Sequence, residues 1–263
     1  MDQKNNAFLT PISIIVAGLI IAGGIILKDQ VKISFGNQTP TVAGEKAAQP
    51  TPTAQTDLTA LTPTSADTII GNKDAKVTVT VFSDFACPYC QAAAGFNKQV
   101  MDSLKSSFPT WEPAIPNLIK DYVNTGKIKM IFREFPLHGP QAAKAAEAAQ
   151  CASEQGKYVE MADKMFDKVS DWYKASEQTF DPSDKFIGYA SELGIDISGC
   201  LKSGKHTADV SRDQSDGQAL KFSTPDQTTP HGITGTPTFF INQTPFIGAQ
   251  PYSEFKKAID ALL

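Results

Sequence analysis

The sequence has few residues of the kinds that bind a metal ion or a polyanion. Its 263 residues include 3 histidines and 4 cysteines, and Cys87 and Cys90 are the one closely spaced cysteine pair. A structural zinc site requires a second close pair of ligands, which neither the other cysteines nor the histidines supply. The net charge is −4, and no block of Lys or Arg indicates nucleic-acid binding. We therefore predict no metal site, no cofactor and no nucleic-acid partner.

One long apolar run stands near the start of the chain. Residues 7–27 carry no charge, and this length is sufficient for a helix that crosses a bilayer. A cleaved signal peptide is the alternative, but no A-x-A cleavage pattern follows Leu27. We predict that residues 1–35 form a cytoplasmic stub and an uncleaved membrane anchor, with the helix at about 8–27.

The next segment has too few large apolar side chains to build a core. Residues 36–67 are rich in Thr, Pro, Ala and Gln. Such a composition cannot bury enough surface to offset the entropy lost when a chain becomes ordered. We predict a disordered linker here, followed by a folded domain over residues 68–263.

A Cys-Pro-Tyr-Cys motif follows the first predicted core strand, 76–83, and begins a predicted helix over 88–107. Unpaired N–H groups and the positive end of the dipole at a helix start favour a thiolate, so Cys87 is the predicted nucleophile. Pro88 suits the first helical position. Cys90 lies on the same helix face and can exchange disulfides with Cys87. Half of a zinc site or a plain structural bridge are the other interpretations of an isolated C-x-x-C.

The later segments predict a mixed sheet interrupted by helices. A second strand is predicted over 127–135, parallel to the first because a helical crossover joins them. Helical patterns alone occupy about 139–223. The Thr236-Pro237 loop then leads into an apolar strand, a short partner strand and a closing helix over 252–263. A proline at the start of a strand is tolerated because it has no ladder N–H to donate there.

The strand-CPYC-helix unit, the helical block and the later Gly-Thr-Pro-Thr-Phe-Phe segment together resemble the DsbA-like branch of the thioredoxin-fold superfamily. The resemblance covers about residues 68–263. It implies an α/β thioredoxin-like fold with an all-helical insertion, preceded here by one transmembrane helix and a disordered linker. It also implies that Cys87 attacks, that Cys90 is buried and resolves the mixed disulfide, and that Pro88 and Tyr89 tune the reduction potential.

The same resemblance implies a cis Thr236-Pro237 peptide bond in a loop that binds the substrate backbone, with the commoner trans isomer as the alternative. It further suggests a structural disulfide between Cys151 and Cys200 in the helical insert. Two buried free thiols and a second redox relay are the alternatives for this pair.

In one position the motif departs from the family's strong oxidants, which have a histidine where this chain has Tyr89. The direction of electron flow is therefore open at this point. Asp84 either caps the turn after the strand, which we favour, or relays protons. Glu134 faces either the site or solvent, and His138 and His231 either line the cleft or lie on the surface.

We predict an extracytoplasmic, membrane-tethered protein thiol-disulfide oxidoreductase of a prokaryote, which exchanges disulfides with secreted or envelope proteins and most readily acts as an oxidase. The resemblance suggests a quinone-linked membrane partner, DsbB-like or vitamin K epoxide reductase-like, that reoxidises the Cys87-Cys90 pair. A reductase or isomerase with the same site is one alternative. A peptide-binding or chaperone module without turnover is an alternative of another class.

Overall fold

A five-stranded mixed sheet lies at the centre of residues 56–263, the part of the chain that the computed structural model describes. Its spatial order is β1-β3-β2-β6-β7, and β2 and β3 are parallel whereas the other neighbours are antiparallel. The strands are β1 (Thr68–Gly71), β2 (Val77–Ser83), β3 (Ile128–Glu134), β6 (Thr238–Ile241) and β7 (Thr244–Ile247). A separate hairpin consists of β4 (Phe222–Thr224) and β5 (Gln227–His231). The predicted mixed α/β fold is thus confirmed.

Helices cover both the crossover between β2 and β3 and the long segment before the hairpin. Those of the crossover are α1 (Pro88–Ala93), α2 (Lys98–Ser107) and α3 (Ala114–Leu118), the last continuing into a π-helical turn, Ile119–Val123. Those of the long segment are α4 (Pro140–Ser153), α5 (Tyr158–Asp167), α6 (Val169–Trp172), α7 (Ser183–Glu192), α8 (Ser198–Ser203) and α9 (Thr207–Ala219). The chain closes with α10 (Tyr252–Asp260).

The two faces of the sheet bury two separate hydrophobic clusters. The larger cluster joins β2, β3 and β6 to α1, α3, α4, α5 and α10. The smaller cluster lies on the other face and includes Phe82, Phe222 and Phe240. Because side chains alternate along a strand, β2 contributes Val79 and Val81 to the larger cluster and Phe82 to the smaller one.

The helix predicted over 88–107 is in fact two helices. Gly95 has a φ of +91° and Asn97 a φ of +56°, values that end a right-handed helix. The Asn97 side chain then accepts a hydrogen bond of 3.2 Å from the Val100 N–H and caps α2. The helix that carries the cysteines is consequently only six residues long.

The predicted helical insert, about 139–223, also ends earlier than expected. Helix α9 stops at Ala219, and Leu220 adopts an extended backbone. Phe222 begins the hairpin because its ring packs edge-on against Phe240, with centroids 5.2 Å apart, in the smaller cluster.

The predicted linker, 36–67, requires a correction at its C-terminal end, because residues 57–67 pack on the domain. Leu61 is buried in the smaller cluster, and Asp57 forms a β-bridge with Lys221. The buried Arg133 guanidinium donates to both carboxylate oxygens of Asp67, at 3.2 and 3.1 Å. Because the Asp67 carboxylate pairs with the buried Arg133 guanidinium, both charges are satisfied inside the domain, although the composition of the segment predicted exposure to solvent.

The predicted membrane helix, 8–27, lies outside the described residues, as does most of the predicted linker. Within residues 56–263, no helix has the length and apolar character that a bilayer crossing requires.

Candidate active site

The two cysteines of the CPYC motif lie where β2 passes into α1. Cys87 is the residue that precedes the helix, and Pro88 occupies the first helical position. The Cys87 N–H donates to the Asp84 carbonyl at 3.1 Å, which closes the turn after the strand. Both thiols are free. Cys87 exposes 5% of its surface and Cys90 none, so Cys87 is the more accessible sulfur.

Local hydrogen bonds lower the pKa of Cys87 from 9.0 to about 6. The largest contribution is the hydrogen bond that the Cys90 thiol donates to it, and burial opposes the change. Smaller contributions come from the Thr236 side chain and from the backbone N–H groups of Cys90 and Tyr89. At pH 7 such a pKa implies roughly ten thiolates for each thiol, and the thiolate is the reactive form.

Cys90 behaves in the opposite way. Burial raises its pKa well above the ordinary value, and both the hydrogen bond and the charge of Cys87 add to this effect. The Ser83 hydroxyl and the Asp84 N–H oppose it without reversing it. Cys90 is therefore a protonated donor that stabilises a Cys87 thiolate.

The Thr236-Pro237 loop lies directly against the first cysteine. The peptide bond between these residues is cis, as the family resemblance implied. The Thr236 carbonyl oxygen is 3.3 Å from Cys87 Sγ. Pro237 is buried, and Thr238 fixes the loop by donating from its hydroxyl to the Gly235 carbonyl at 2.8 Å. The structure thus brings together the predicted catalytic and substrate-facing residues, while substrate binding itself stays a prediction.

Two large apolar side chains, one in the CPYC motif and one bonded to Asp84 just before it, remain exposed. Tyr89 stands between the cysteines and is 53% exposed. Leu137 is 46% exposed, and its N–H donates to the Asp84 carboxylate at 2.6 Å. Exposed apolar side chains of this type are common on surfaces that bind other proteins.

Asp84 acts as a cap for two turns. One carboxylate oxygen accepts the Ala86 N–H at 2.8 Å, and the other accepts the Leu137 and His138 N–H groups at 2.6 and 3.0 Å. The His138 ring also contacts that second oxygen, at 2.7 Å. These bonds agree with the capping interpretation of Asp84. His231 lies in β5, and its ring bonds to the Thr229 carbonyl at 3.1 Å rather than to the cysteines.

Glu134 faces the interior, which the sequence pattern left open. It is fully buried at the end of β3, beside Ser83 of β2, and one carboxyl oxygen accepts the Tyr158 hydroxyl at 2.8 Å. Burial raises its pKa well above the ordinary value. In the sequence, the position of Glu134 at the end of a predicted core strand indicated this placement only weakly, and nothing indicated that Tyr158 would bond to it.

The remaining cysteines form a disulfide away from the CPYC pair in the chain. Cys151 of α4 and Cys200 of α8 are bonded, with an S–S distance of 2.00 Å, and are 49 positions apart in sequence. The bond ties two helices of the insert together, which is the arrangement that the family resemblance implied.

Comparison with known proteins assigns the fold to a family. A family model described as thioredoxin matches residues 63–108 and 109–261. The chain belongs to the thioredoxin family. The match begins before the predicted domain start at residue 68, in agreement with the packed segment 57–67.

Relatives of this thioredoxin-family chain differ in overall length. It is 32% identical over 181 residues to a Na(+)/H(+) antiporter NhaA of Salinispora tropica, which covers 67% of this chain but 22% of the antiporter. The chain therefore spans about a fifth of that relative. It is 24% identical over 198 residues to a probable disulfide bond formation protein D of Bacillus cereus, covering 73% of this chain and 76% of the relative.

Solved structures share the fold at low identity. Oxidised BdbD from Bacillus subtilis superposes with a TM-score of 0.56 at 21% identity, over 74% of this chain and 92% of that one. Wolbachia pipientis alpha-DsbA1 gives a TM-score of 0.58 at 20% identity, over 76% and 92%. The predicted enzyme class, a protein thiol-disulfide oxidoreductase, agrees with these names.

Proposed function

We propose that this thioredoxin-family protein is a thiol-disulfide oxidoreductase that introduces disulfides into extracytoplasmic client proteins. The observation that carries the proposal is the Cys87 thiol, whose pKa is about 6 and whose sulfur lies 3.3 Å from the Thr236 carbonyl. A cysteine whose thiolate is stabilised is a good leaving group from a mixed disulfide, and Cys87 is such a cysteine beside a buried partner thiol.

The reaction begins from the Cys87-Cys90 disulfide. A client thiolate attacks Cys87 Sγ, a new S–S bond forms there, and the bond to Cys90 breaks. Cys90 takes the electron pair and is protonated, in keeping with its raised pKa. A second client thiolate then attacks the client sulfur of the mixed disulfide and expels Cys87 as a thiolate. The client is oxidised by two electrons, and the cysteine pair is reduced by two.

Thiolate stability supports the oxidising direction although Tyr89 replaces the family's histidine. Donors within this chain, first of all the Cys90 thiol, lower the pKa of Cys87 without a neighbouring imidazolium. Stabilising the reduced form raises the reduction potential, because the free-energy difference between dithiol and disulfide sets that potential.

Names of relatives support the same direction. One relative is called a probable disulfide bond formation protein, and two structures of the same fold are BdbD and alpha-DsbA1. By analogy with such proteins, a quinone-linked membrane partner would reoxidise the pair. We also propose that the N-terminal apolar run, 7–27, tethers the domain outside the cytoplasm, where disulfides persist.

A redox titration of the Cys87-Cys90 pair tests the direction. A potential near about −120 mV supports an oxidase, whereas one near about −270 mV, the value of thioredoxin, contradicts it and favours the reductase. Turnover of a reduced model peptide should disappear in Cys87→Ser. In Cys90→Ser, the Cys87 thiolate should attack the disulfide of an oxidised model peptide, expel one peptide thiolate and hold the other sulfur as a mixed disulfide, because no second enzyme thiol can displace it.

The same variants separate the enzyme from a chaperone. A module that only binds peptides would protect unfolded clients from aggregation equally well with Cys87→Ser and Cys90→Ser, and it would show no turnover of a dithiol in the unsubstituted protein. The oxidoreductase predicts turnover that depends on both cysteines.

A further inference from the structure

A histidine lies against the Cys151-Cys200 disulfide of the helical insert. Cys151 lies in α4, Cys200 lies in α8, and His206 immediately precedes α9. One ring nitrogen of His206 and the two Sγ atoms all lie within 4.8 Å of one another. The spacing in sequence did not indicate this cluster, because the cysteines are 49 positions apart. Cysteine sulfur and histidine nitrogen are ligands that Zn²⁺ prefers in proteins.

Two carboxylates hold the His206 ring in place. The Nδ1 atom is 2.8 Å from Asp209 Oδ2 in α9, and the Nε2 atom is 2.8 Å from Glu154 Oε1 at the C-terminal end of α4. A histidine that binds a metal ion through one nitrogen generally donates the N–H of the other to a carboxylate or carbonyl, which fixes the orientation of the ring. Asp209 is placed to accept that N–H when Nε2 binds an ion.

Glu154 is placed to supply an oxygen ligand to the same ion. It follows Cys151 by three positions, and residues with this spacing are neighbours along one face of a helix. The Lys205 ammonium, 2.6 Å from Glu154 Oε1, lowers the pKa of this carboxyl, so Glu154 is ionised at neutral pH. The Lys205 side chain is 55% exposed and can turn into solvent when a metal cation takes its place.

The state of the disulfide decides whether the sulfurs can bind a metal ion. Zn²⁺ binds thiolates, and the sulfurs of Cys151 and Cys200 are bonded to each other. A dithiol reductant breaks this bond by giving two electrons and two protons, and it becomes a disulfide itself. Zn²⁺ then replaces the two thiol protons, which pass to solvent. Cys200 and His206 are partly exposed, so an ion can reach the cluster from solvent.

We propose that reduction of the Cys151-Cys200 disulfide opens a Zn²⁺ site whose ligands are the two thiolates, His206 Nε2 and the Glu154 carboxylate. The oxidised form does not bind the ion. In the reduced form the ion joins α4, α8 and the start of α9, and it replaces the covalent link that reduction removes. The inference is independent of the function proposed for the CPYC pair.

Cobalt makes the site visible, because tetrahedral thiolate-bound Co²⁺ absorbs light whereas Zn²⁺ does not. The test uses the full chain with Cys87→Ser and Cys90→Ser, since the thiols of the CPYC motif can also bind metal ions. A phosphine reduces the remaining disulfide without air. It takes up the oxygen atom of one water molecule in doing so, supplies no thiolate, and is removed before Co²⁺ is added. The reduced protein should show charge-transfer and d–d bands that Zn²⁺ abolishes, and the unreduced protein should show neither.

Ligand variants test the composition of the site by competition for Zn²⁺ with a chromogenic chelator. His206→Ala should lower the Zn²⁺ affinity of the reduced protein by at least ten-fold and shift the cobalt bands, because a nitrogen ligand is lost. Asp209→Asn should lower the affinity by about ten-fold through the orientation of the ring. His231→Ala is the matched control. Its ring bonds to the Thr229 carbonyl in β5, and its removal should leave the affinity unchanged.

Two results would overturn the site. The absence of cobalt bands in the reduced protein would mean that the thiolates bind no ion, and an unchanged Zn²⁺ affinity in His206→Ala would mean that they bind it without the histidine. Thermal unfolding controls for loss of the fold on reduction. Zn²⁺ should raise the Tm of the reduced form and not that of the oxidised form, and a reduced chain that stays unfolded with Zn²⁺ would also contradict the proposal. None of these results bears on the CPYC reaction, because the protein tested lacks Cys87 and Cys90.

Discussion

Replacing Cys90 by alanine removes the largest single cause of the low Cys87 pKa while leaving the fold of the turn in place. The native value of about 6 lies about 3 below the ordinary 9.0. At about 1.36 kcal/mol for each pKa unit, this difference corresponds to about 4 kcal/mol in favour of the thiolate. The Cys90 thiol supplies one hydrogen bond to a charged group, worth about 1.5 to 3 kcal/mol.

The alanine variant should therefore have a Cys87 pKa of about 7 to 8, since a hydrogen bond of this energy accounts for one to two pKa units. Cys90→Ser is the matched comparison, because a hydroxyl in the same place can still donate and should keep the pKa closer to the native value. Backbone N–H groups of α1 and the Thr236 side chain remain in both variants and keep the pKa below 9.0.

The rate of alkylation by iodoacetamide as a function of pH measures this pKa directly, because only the thiolate reacts. Mild reduction before alkylation breaks the Cys87-Cys90 disulfide and leaves the Cys151-Cys200 disulfide intact. The mass of the intact protein verifies this state. Buried Cys90, with its raised pKa, should not interfere in the native protein. If the alanine variant titrates at the same pH as the native pair, the hydrogen-bond explanation is wrong and the helix terminus dominates instead.

Three further predictions concern stability, each measured by denaturant unfolding of the substituted and unsubstituted proteins. Asp67→Ala leaves the Arg133 guanidinium buried without its bidentate partner. It should lower the free energy of unfolding by about 3 to 5 kcal/mol. A loss under about 1 kcal/mol, which is typical of a surface ion pair, would contradict the packing of segment 57–67 on the domain. Replacing both Cys151 and Cys200 by alanine should cost about 4 kcal/mol for a closed loop of 49 residues, and an unchanged midpoint would show that the bond does not restrain the unfolded chain. Burial raises the pKa of Glu134 well above the ordinary 4.5, so its ionisation opposes folding increasingly as pH rises from 4.5 towards the folded value. Glu134→Gln should therefore gain stability relative to the native protein as pH rises above 4.5, and a gain that does not change with pH would refute this.

Strong local patterns predicted most of the fold. Alternating β-branched residues marked β2, and the Gly-Thr-Pro-Thr-Phe-Phe segment marked β6, because buried strands impose a period that the sequence must follow. The CPYC motif and the Thr236-Pro237 loop were singled out from sequence, and the structure places them in contact.

Features that depend on distant partners escaped prediction. Strand β1, Thr68–Gly71, is short and lies at a sheet edge, so it exists through its pairing with β3 rather than through its own pattern. The segment 57–67 has a linker-like composition, and its order depends on Arg133, 66 residues after Asp67. The hairpin at Phe222–His231 likewise depends on the aromatic face of the sheet that receives Phe222.

The shortness of α1 has a consequence for the reduction potential. Six residues of helix give the sulfur little long-range electrostatic help, and the groups that favour the anion are found chiefly within three positions of it in the chain. Substitutions inside the four-residue motif can therefore change the reduction potential of the cysteine pair without changing the fold. The direction in which the pair exchanges electrons is thus governed by a few neighbouring side chains and N–H groups rather than by the scaffold as a whole.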